Sequence, residues 1–151
     1  MPMLPIKYLT IHCTATPEGR NNSAEEVKAW DVARFGQPSY HIVIELDGEA
    51  VRHLQDGQRG AHTAKANTGN IGISYVGGTE SLSAGGKPKD TRTPAQKATL
   101  RRLVLNYQAA WPDIVIRGHR DWPGVNKACP SFDVAEWLEA GMPVEAVNRG
   151  P

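Results

Sequence analysis

The sequence predicts an α/β fold, a mixed central β-sheet flanked by helices, in a single domain. Three observations carry this reading. Short runs of β-branched and aromatic residues alternate along the chain with segments of helical period. Helix starts are marked at Ser23 with Glu26, Thr93 with Gln96 and Asp133 with Glu136, each a capping residue followed three positions on by a partner. The length, 151 residues, suits one domain around one core and is too short for two ordinary ones.

Residues 6–12 read as the first strand, rich in β-branched and aromatic side chains. A loop follows over 17–22. Ser23 and Glu26 open a helix that runs to about Phe35, before Gly36, with Val27, Trp30 and Ala33 on its apolar face. Residues 40–46 read as a second strand, Asp47-Gly48 as a hairpin turn and 50–54 as the return strand. Residues 57–70 form a long polar loop. Residues 71–76 form a short strand ended by Gly77-Gly78, and 81–90 a mobile loop rich in glycine and lysine. In Thr93-Pro94-Ala95-Gln96 the threonine caps, the proline takes the first turn and the glutamine closes the box. Leu100, Leu103, Val104, Tyr107 and Trp111 then recur at helical spacing, so this helix buries one face. Pro112-Asp113 breaks it. Residues 114–117 are a last buried strand and 118–130 a loop. Asp133 caps a final helix, with Phe132 and Trp137 placed for a hydrophobic staple. The domain is read over 1–151, with a tail loosely held from about 142.

Composition narrows the function classes. Net charge is +1 and the basic residues are scattered, so no nucleic-acid footprint is present. No apolar run is long enough to span a bilayer, so no membrane partner is expected. Residues 1–7 lack the features of a secretory signal, which predicts synthesis in the cytoplasm. The two cysteines, Cys13 and Cys129, are then made in a reducing compartment, which favours metal binding or catalysis over a disulfide. Nothing suggests more than a monomer.

Three residues form a candidate metal set. His12 ends the first strand, His119 follows the last, and Cys129 lies ten positions later in Lys127-Ala128-Cys129-Pro130. Strand ends hold side chains rigidly and point them into a cleft. Zinc takes imidazole and thiolate ligands, and a site with three protein ligands leaves a fourth position for water. Metal coordination can acidify that water to near neutrality. Residue type alone leaves a second reading open, since single histidines are commonly packed or surface side chains and the spacing is unlike HExxH.

Four blocks then stand in order: IHCTATP at 11–17, SYHIVIELDG at 39–48, GAHTAKANTGNIGISYVGG at 60–78 and RGHRDWPGVNKACPSFD at 117–133. Together they resemble the type-2 N-acetylmuramoyl-L-alanine amidases, the family of T7-type phage lysozymes and peptidoglycan recognition proteins. The resemblance covers roughly residues 7–138. It implies zinc held by His12, His119 and Cys129, with Tyr40 near the water and Lys127 beside the site. It implies cleavage of the amide between the lactyl group of N-acetylmuramic acid and L-alanine in peptidoglycan. Some relatives carry aspartate as third ligand or a short residue in place of the lysine; Cys129 and Lys127 both follow the phage-lysozyme pattern and favour an enzyme.

In this reading Lys127 stabilises negative charge on the carbonyl oxygen, and Tyr40 bonds the water or the tetrahedral intermediate and is the first candidate to take the proton. Tyr40 as a core aromatic and Lys127 as a solvated loop residue are the bland alternatives. His62 is placed in the substrate groove or on the surface. Asn67 and Asn70 are placed toward the stem peptide, and Trp122 against substrate or as a shield. His41 is structural or supports the ligands, and His53 is on the surface. Side chains alternate along a strand, so with His12 in the cleft Cys13 faces the core. The expected role is a compact phage or prophage endolysin, made without a signal peptide and acting on the wall after release. The alternatives are a wall-binding module without turnover and a cytosolic amidase of muropeptide recycling.

Overall fold

A computed structural model describes residues 5–145. Strand β1 (Tyr8–Cys13) leads into a two-residue β2 (Thr16–Pro17) and helix α1 (Ala24–Phe35). The hairpin β3 (Ile42–Ile44) and β4 (Ala50–Arg52) follows, then β5 (Asn70–Tyr75) and the short β6 (Gly78–Thr79). Helix α2 (Pro94–Ala110), strand β7 (Val115–Gly118) and helix α3 (Val134–Glu139) complete the order. Five strands form one sheet in the order β4-β3-β5-β1-β7, while β2 and β6 make a separate parallel pair. Strand β4 runs antiparallel to β3, and every other pairing in the large sheet is parallel. The mixed α/β architecture expected from the sequence is the one observed.

β1 lies between β5 and β7 and is bonded on both sides, with His12 opposite Ser74 and Thr10 opposite both Gly72 and Arg117. Alternation then gives the sheet two unlike faces. Leu9, Ile11, Cys13, Ile71, Ile73, Tyr75, Ile42 and Ile44 join Leu100, Leu103, Val104 and Tyr107 of α2 and Trp137 of α3 in one apolar core. The other face carries Thr10, His12, Gly72 and Ser74, small or polar groups covered by further residues, with the His62 ring directly over Gly72. Cys13 is accordingly buried in the core, and both cysteines are free thiols.

The helix starts form as their sequences dictate. Both capping boxes, Ser23/Glu26 and Thr93/Gln96, are made. Phe132 meets Trp137 edge-on at 5.9 Å across the start of α3, the expected staple, and the Arg92 guanidinium lies over both rings. Gln96 does more than close its box: its fully buried amide donates to Ile44 O and Val76 O and ties α2 to the ends of β3 and β5.

Four expectations are corrected. α1 buries only Ala24 and Val27; Trp30 is 46% exposed and Ala33 is exposed, because only the first turns of the helix reach the sheet. The strand expected over 40–46 is regular only at Ile42–Ile44, and His41 before it is held by Gly72 and Gln58 instead. The His53 side chain is 2% exposed rather than on the surface, with Glu25 at 3.7 Å. The tail expected to be loose from about 142 is tied down through Glu145: Met142 is buried in the core, Trp137 Nε1 donates to Pro143 O, and Lys97 Nζ to Glu145 O. The rest of that tail lies outside the described residues.

Gln96→Leu would leave the buried Val76 O without its side-chain donor, at about 1–3 kcal/mol, while Ile44 O keeps the Val76 N–H at 2.9 Å. Urea unfolding of this variant is expected to show a loss of roughly 1–3 kcal/mol with an unchanged denaturant slope; a loss below about 0.5 kcal/mol would deny the glutamine this bridging role.

Candidate metal centre

The parallel strands deliver the site. β1 ends with His12 on the polar face, and β7 runs directly into a single 3-10 turn, His119–Asp121, that begins with the second imidazole. The rings of His12 and His119 are 4.6 Å apart at their centroids. Cys129 arrives on a loop pinned from several sides. Tyr75 OH donates to Pro130 O, Ser131 Oγ to Gly78 O, and Arg120 N to Cys129 O. The result is one ligand atom from each of His12, His119 and Cys129, all within 4.8 Å of one another.

This donor set fits a borderline divalent ion such as zinc. Two imidazoles and one sulfur match its ligand preference and leave a coordination position open to the cleft. Burial, with His62, His119 and Lys127 nearby, holds His12 well below the ordinary histidine value; burial and Lys127 do the same for His119. Both imidazoles are therefore neutral at neutral pH, as ligands must be. Cys129 is pushed up by the neighbouring Cys13 thiol and by burial, against the Cys13 N–H and Lys127, which favour its thiolate. That N–H donates to Cys129 Sγ at 3.2 Å.

Tyr40 stands beside the centre with its half-buried ring 5.1 Å from that of His12. Burial, followed by the charge of Cys129, raises its hydroxyl, which keeps it protonated and able to donate a hydrogen bond at neutral pH. Lys127 is exposed at the rim, close enough for its charge to depress both ligand histidines.

The four residues expected near substrate are placed as follows. His62 is 7% exposed and sits beside His12, with its Nδ1 3.0 Å from His12 Nε2. The signal for this was the pair of glycines around it. A Cβ at Gly72 would lie 2.5 Å from the His62 ring and one at Gly60 2.7 Å, so both positions are emptied for that imidazole. Asn67 spends its side-chain oxygen on the N–H groups of His62 and Thr63, folding the loop that carries His62. Asn70 is buried between Thr10 and Ala66 O. Trp122 donates to Thr10 Oγ1, meets Tyr8 edge-on at 4.9 Å, and lies under the Arg117 guanidinium. His41 is structural, accepting from Gly72 N and bonding Gln58 O.

Residues 2–132 match the family model described as N-acetylmuramoyl-L-alanine amidase. The chain is 32% identical over 139 residues to an endolysin of Enterobacteria phage T3, spanning 91% of this chain and 89% of that protein. It is 32% identical over 130 residues to an endolysin of Escherichia phage T7, spanning 85% and 83%. Among solved structures, N-acetylmuramoyl-L-alanine amidase LysC from Clostridium intestinale URNW aligns with a TM-score of 0.73 at 19% identity, covering 94% of this chain and 90% of that one. At that identity the likeness is one of fold.

All five histidines are held below their ordinary value of 6.5, with burial the leading cause at each and His62 lowered to about 3. Unfolding returns them to water, where they charge near 6.5. Above that pH both states are neutral and stability is intact. Below it the unfolded chain binds more protons, so stability falls as pH drops from 6.5 toward 3. His62, lowered to about 3, contributes at most about 1.4 kcal/mol per pH unit to the decline within that window, and the other histidines add to it in the same direction. Urea titrations of zinc-free protein from pH 8 to 4 are expected to be flat above about 7 and to drop steeply below about 6; equal stability at pH 7 and 5 would contradict the burial of neutral imidazoles.

Proposed function

The chain belongs to the N-acetylmuramoyl-L-alanine amidase family, and from that premise we propose a zinc centre on His12, His119 and Cys129 for its hydrolysis of the bond between N-acetylmuramic acid and L-alanine. The observation that carries this reading is the convergence of two neutral imidazoles and a sulfur within 4.8 Å at the open end of a rigid parallel sheet. Zinc bound there would supply Lewis acidity, polarising the scissile carbonyl and making water a nucleophile near neutral pH.

The chain's own residues do the rest. Tyr40, kept protonated by its burial, donates a hydrogen bond to the oxygen on which charge develops. Lys127 places an ammonium at the rim, where it offsets the charge that Cys129 donates to its metal and stabilises the tetrahedral oxyanion. The apolar core beneath and the braced Trp122 keep the ligand-bearing strands from moving as charge redistributes.

Phage endolysins at 32% identity span most of this chain, and the same role is assigned here: an endolysin acting on peptidoglycan in the cell wall. No helix among the described residues is long and apolar enough to cross a membrane. The reading includes a monomer that is made in the cytoplasm and reaches the wall after release. A wall-binding module without turnover would leave the clustered donors and Lys127 without a task.

Purified peptidoglycan digested by the protein should yield stem peptides with new L-alanine amino ends and no new reducing sugar ends, identified by mass spectrometry. A zinc chelator should abolish this, and added zinc should restore it. Reducing ends that persist in chelator would mean a glycosidase and defeat the metal mechanism. Lys127→Ala is expected to lower kcat by about 100-fold with zinc still bound; unchanged turnover would remove the oxyanion role.

A further inference from the structure

His12 has two ring nitrogens, and only a bare one can bind a metal. Its Nδ1 faces Cys129 Sγ at 3.7 Å, and its Nε2 faces away, 3.0 Å from His62 Nδ1. A free imidazole can place its proton on either nitrogen. With the proton on Nδ1, His12 would point an N–H at the sulfur and close the site to a cation.

The protons can be placed by following the chain of acceptors. His62 Nε2 lies 2.9 Å from Asn70 O, a backbone carbonyl that can only accept, so His62 Nε2 carries the proton. His62 Nδ1 and His12 Nε2 face each other at 3.0 Å, a spacing with room for one proton between them. His62 Nδ1 is therefore bare and must accept. It receives the proton of His12 Nε2, and the Thr63 hydroxyl stands 2.9 Å from the same nitrogen. His12 Nδ1 is left as a lone pair facing Cys129.

We propose that His62 is a positioning residue that fixes His12 in the tautomer with a bare Nδ1, through a relay from His12 Nε2–H to His62 Nδ1 and from His62 Nε2–H to the Asn70 carbonyl. Metal-bound histidines commonly give their second N–H straight to a carbonyl or carboxylate. In this chain a second imidazole stands between the ligand and the carbonyl. The fold makes space for it at two positions. Any side chain at Gly72 on β5 would overlap the His62 ring, with Cγ, Cδ2 and Nε2 all within 2.8 Å of a Cβ, and Gly60 is constrained in the same way. The loop is then locked by Asn67, which accepts from His62 N and Thr63 N, and the ring packs edge-on to His12 at 5.0 Å. His62 is buried and stands outside the cluster of His12, His119 and Cys129, so it acts through His12.

The inference rests on His12 being a zinc ligand, and its test separates the two ideas. Zinc affinity of the native chain, His62→Ala and His62→Gln is measured by competition with a chromogenic chelator at pH 7.5. Long-range proton–nitrogen NMR of the zinc-free native chain reports the tautomer of each imidazole. The relay predicts Nε2-protonated His12 and His62, a roughly 10–100-fold loss of zinc affinity in His62→Ala, and recovery of most of it in His62→Gln. The glutamine oxygen can accept from His12 while its amide donates to Asn70 O. Native-like zinc affinity in His62→Ala, or a His12 protonated on Nδ1 in the native chain, would overturn the relay. A native chain that binds no zinc would instead overturn the metal centre. If His62→Ala does not fold, the native spectra and the glutamine variant decide the matter by the same criteria.

Discussion

The register of β1 governs everything else in this structure. The strand is bonded to β5 on one side and β7 on the other, and its side chains alternate between an apolar core and a buried polar face. A slip of one residue would send His12 into the core and turn Cys13 toward the polar face. The register is secured because Leu9, Ile11 and Cys13 are each almost fully buried in the core, and the alternative would set them among polar groups and bury Thr10 and His12 among isoleucines. Burying one isoleucine or leucine side chain is worth about 1.5–3 kcal/mol, so the core pattern outweighs any local preference of the histidine. The position of a ligand is thus enforced from the opposite side of the sheet.

The polar face shows the complementary constraint. A sheet surface lined with bulky residues could not hold imidazoles packed this closely. Gly72, Thr10 and Ser74 leave a shallow floor on which His12, His62 and His119 assemble. The histidines stay neutral because burial opposes their charge, and each proton has a defined acceptor at His41 and His62. The same burial that readies imidazoles for a metal also makes the fold sensitive to acid. Function and pH sensitivity share one cause, desolvation of the polar face.

Cys129 reaches the site by a different route, on a loop rather than a strand. Its placement depends on Tyr75 at the end of β5 and Gly78 in β6, both far away in sequence, and on Arg120 in the turn after β7. The bonds from Tyr75 and Arg120 satisfy the carbonyls of Pro130 and Cys129, Ser131 adds a second donor to Gly78 O beside Lys89 N, and all three hold the sulfur beside His12. The core on one side and the loop bonds on the other converge on the same few ångströms.

The sequence by itself determined the element order, the helix starts and the three candidate ligands. These are local or patterned properties: capping pairs at Ser23 and Thr93, alternation along β1, and four blocks of residues whose order matched a known family. Tertiary structure alone decided which apolar and polar residues face what. Trp30 and Ala33 have helical spacing but no surface to meet, because α1 contacts the sheet only at its start. His62 and Asn67 lie in a stretch of polar composition that reads as an exposed loop. That loop folds back onto β5, where Gly72 makes room for an imidazole, and His62 becomes a buried partner of His12. Such placements depend on contacts across 50 residues of chain, which no local pattern encodes, whereas caps and strand alternation are settled within a few residues of one another.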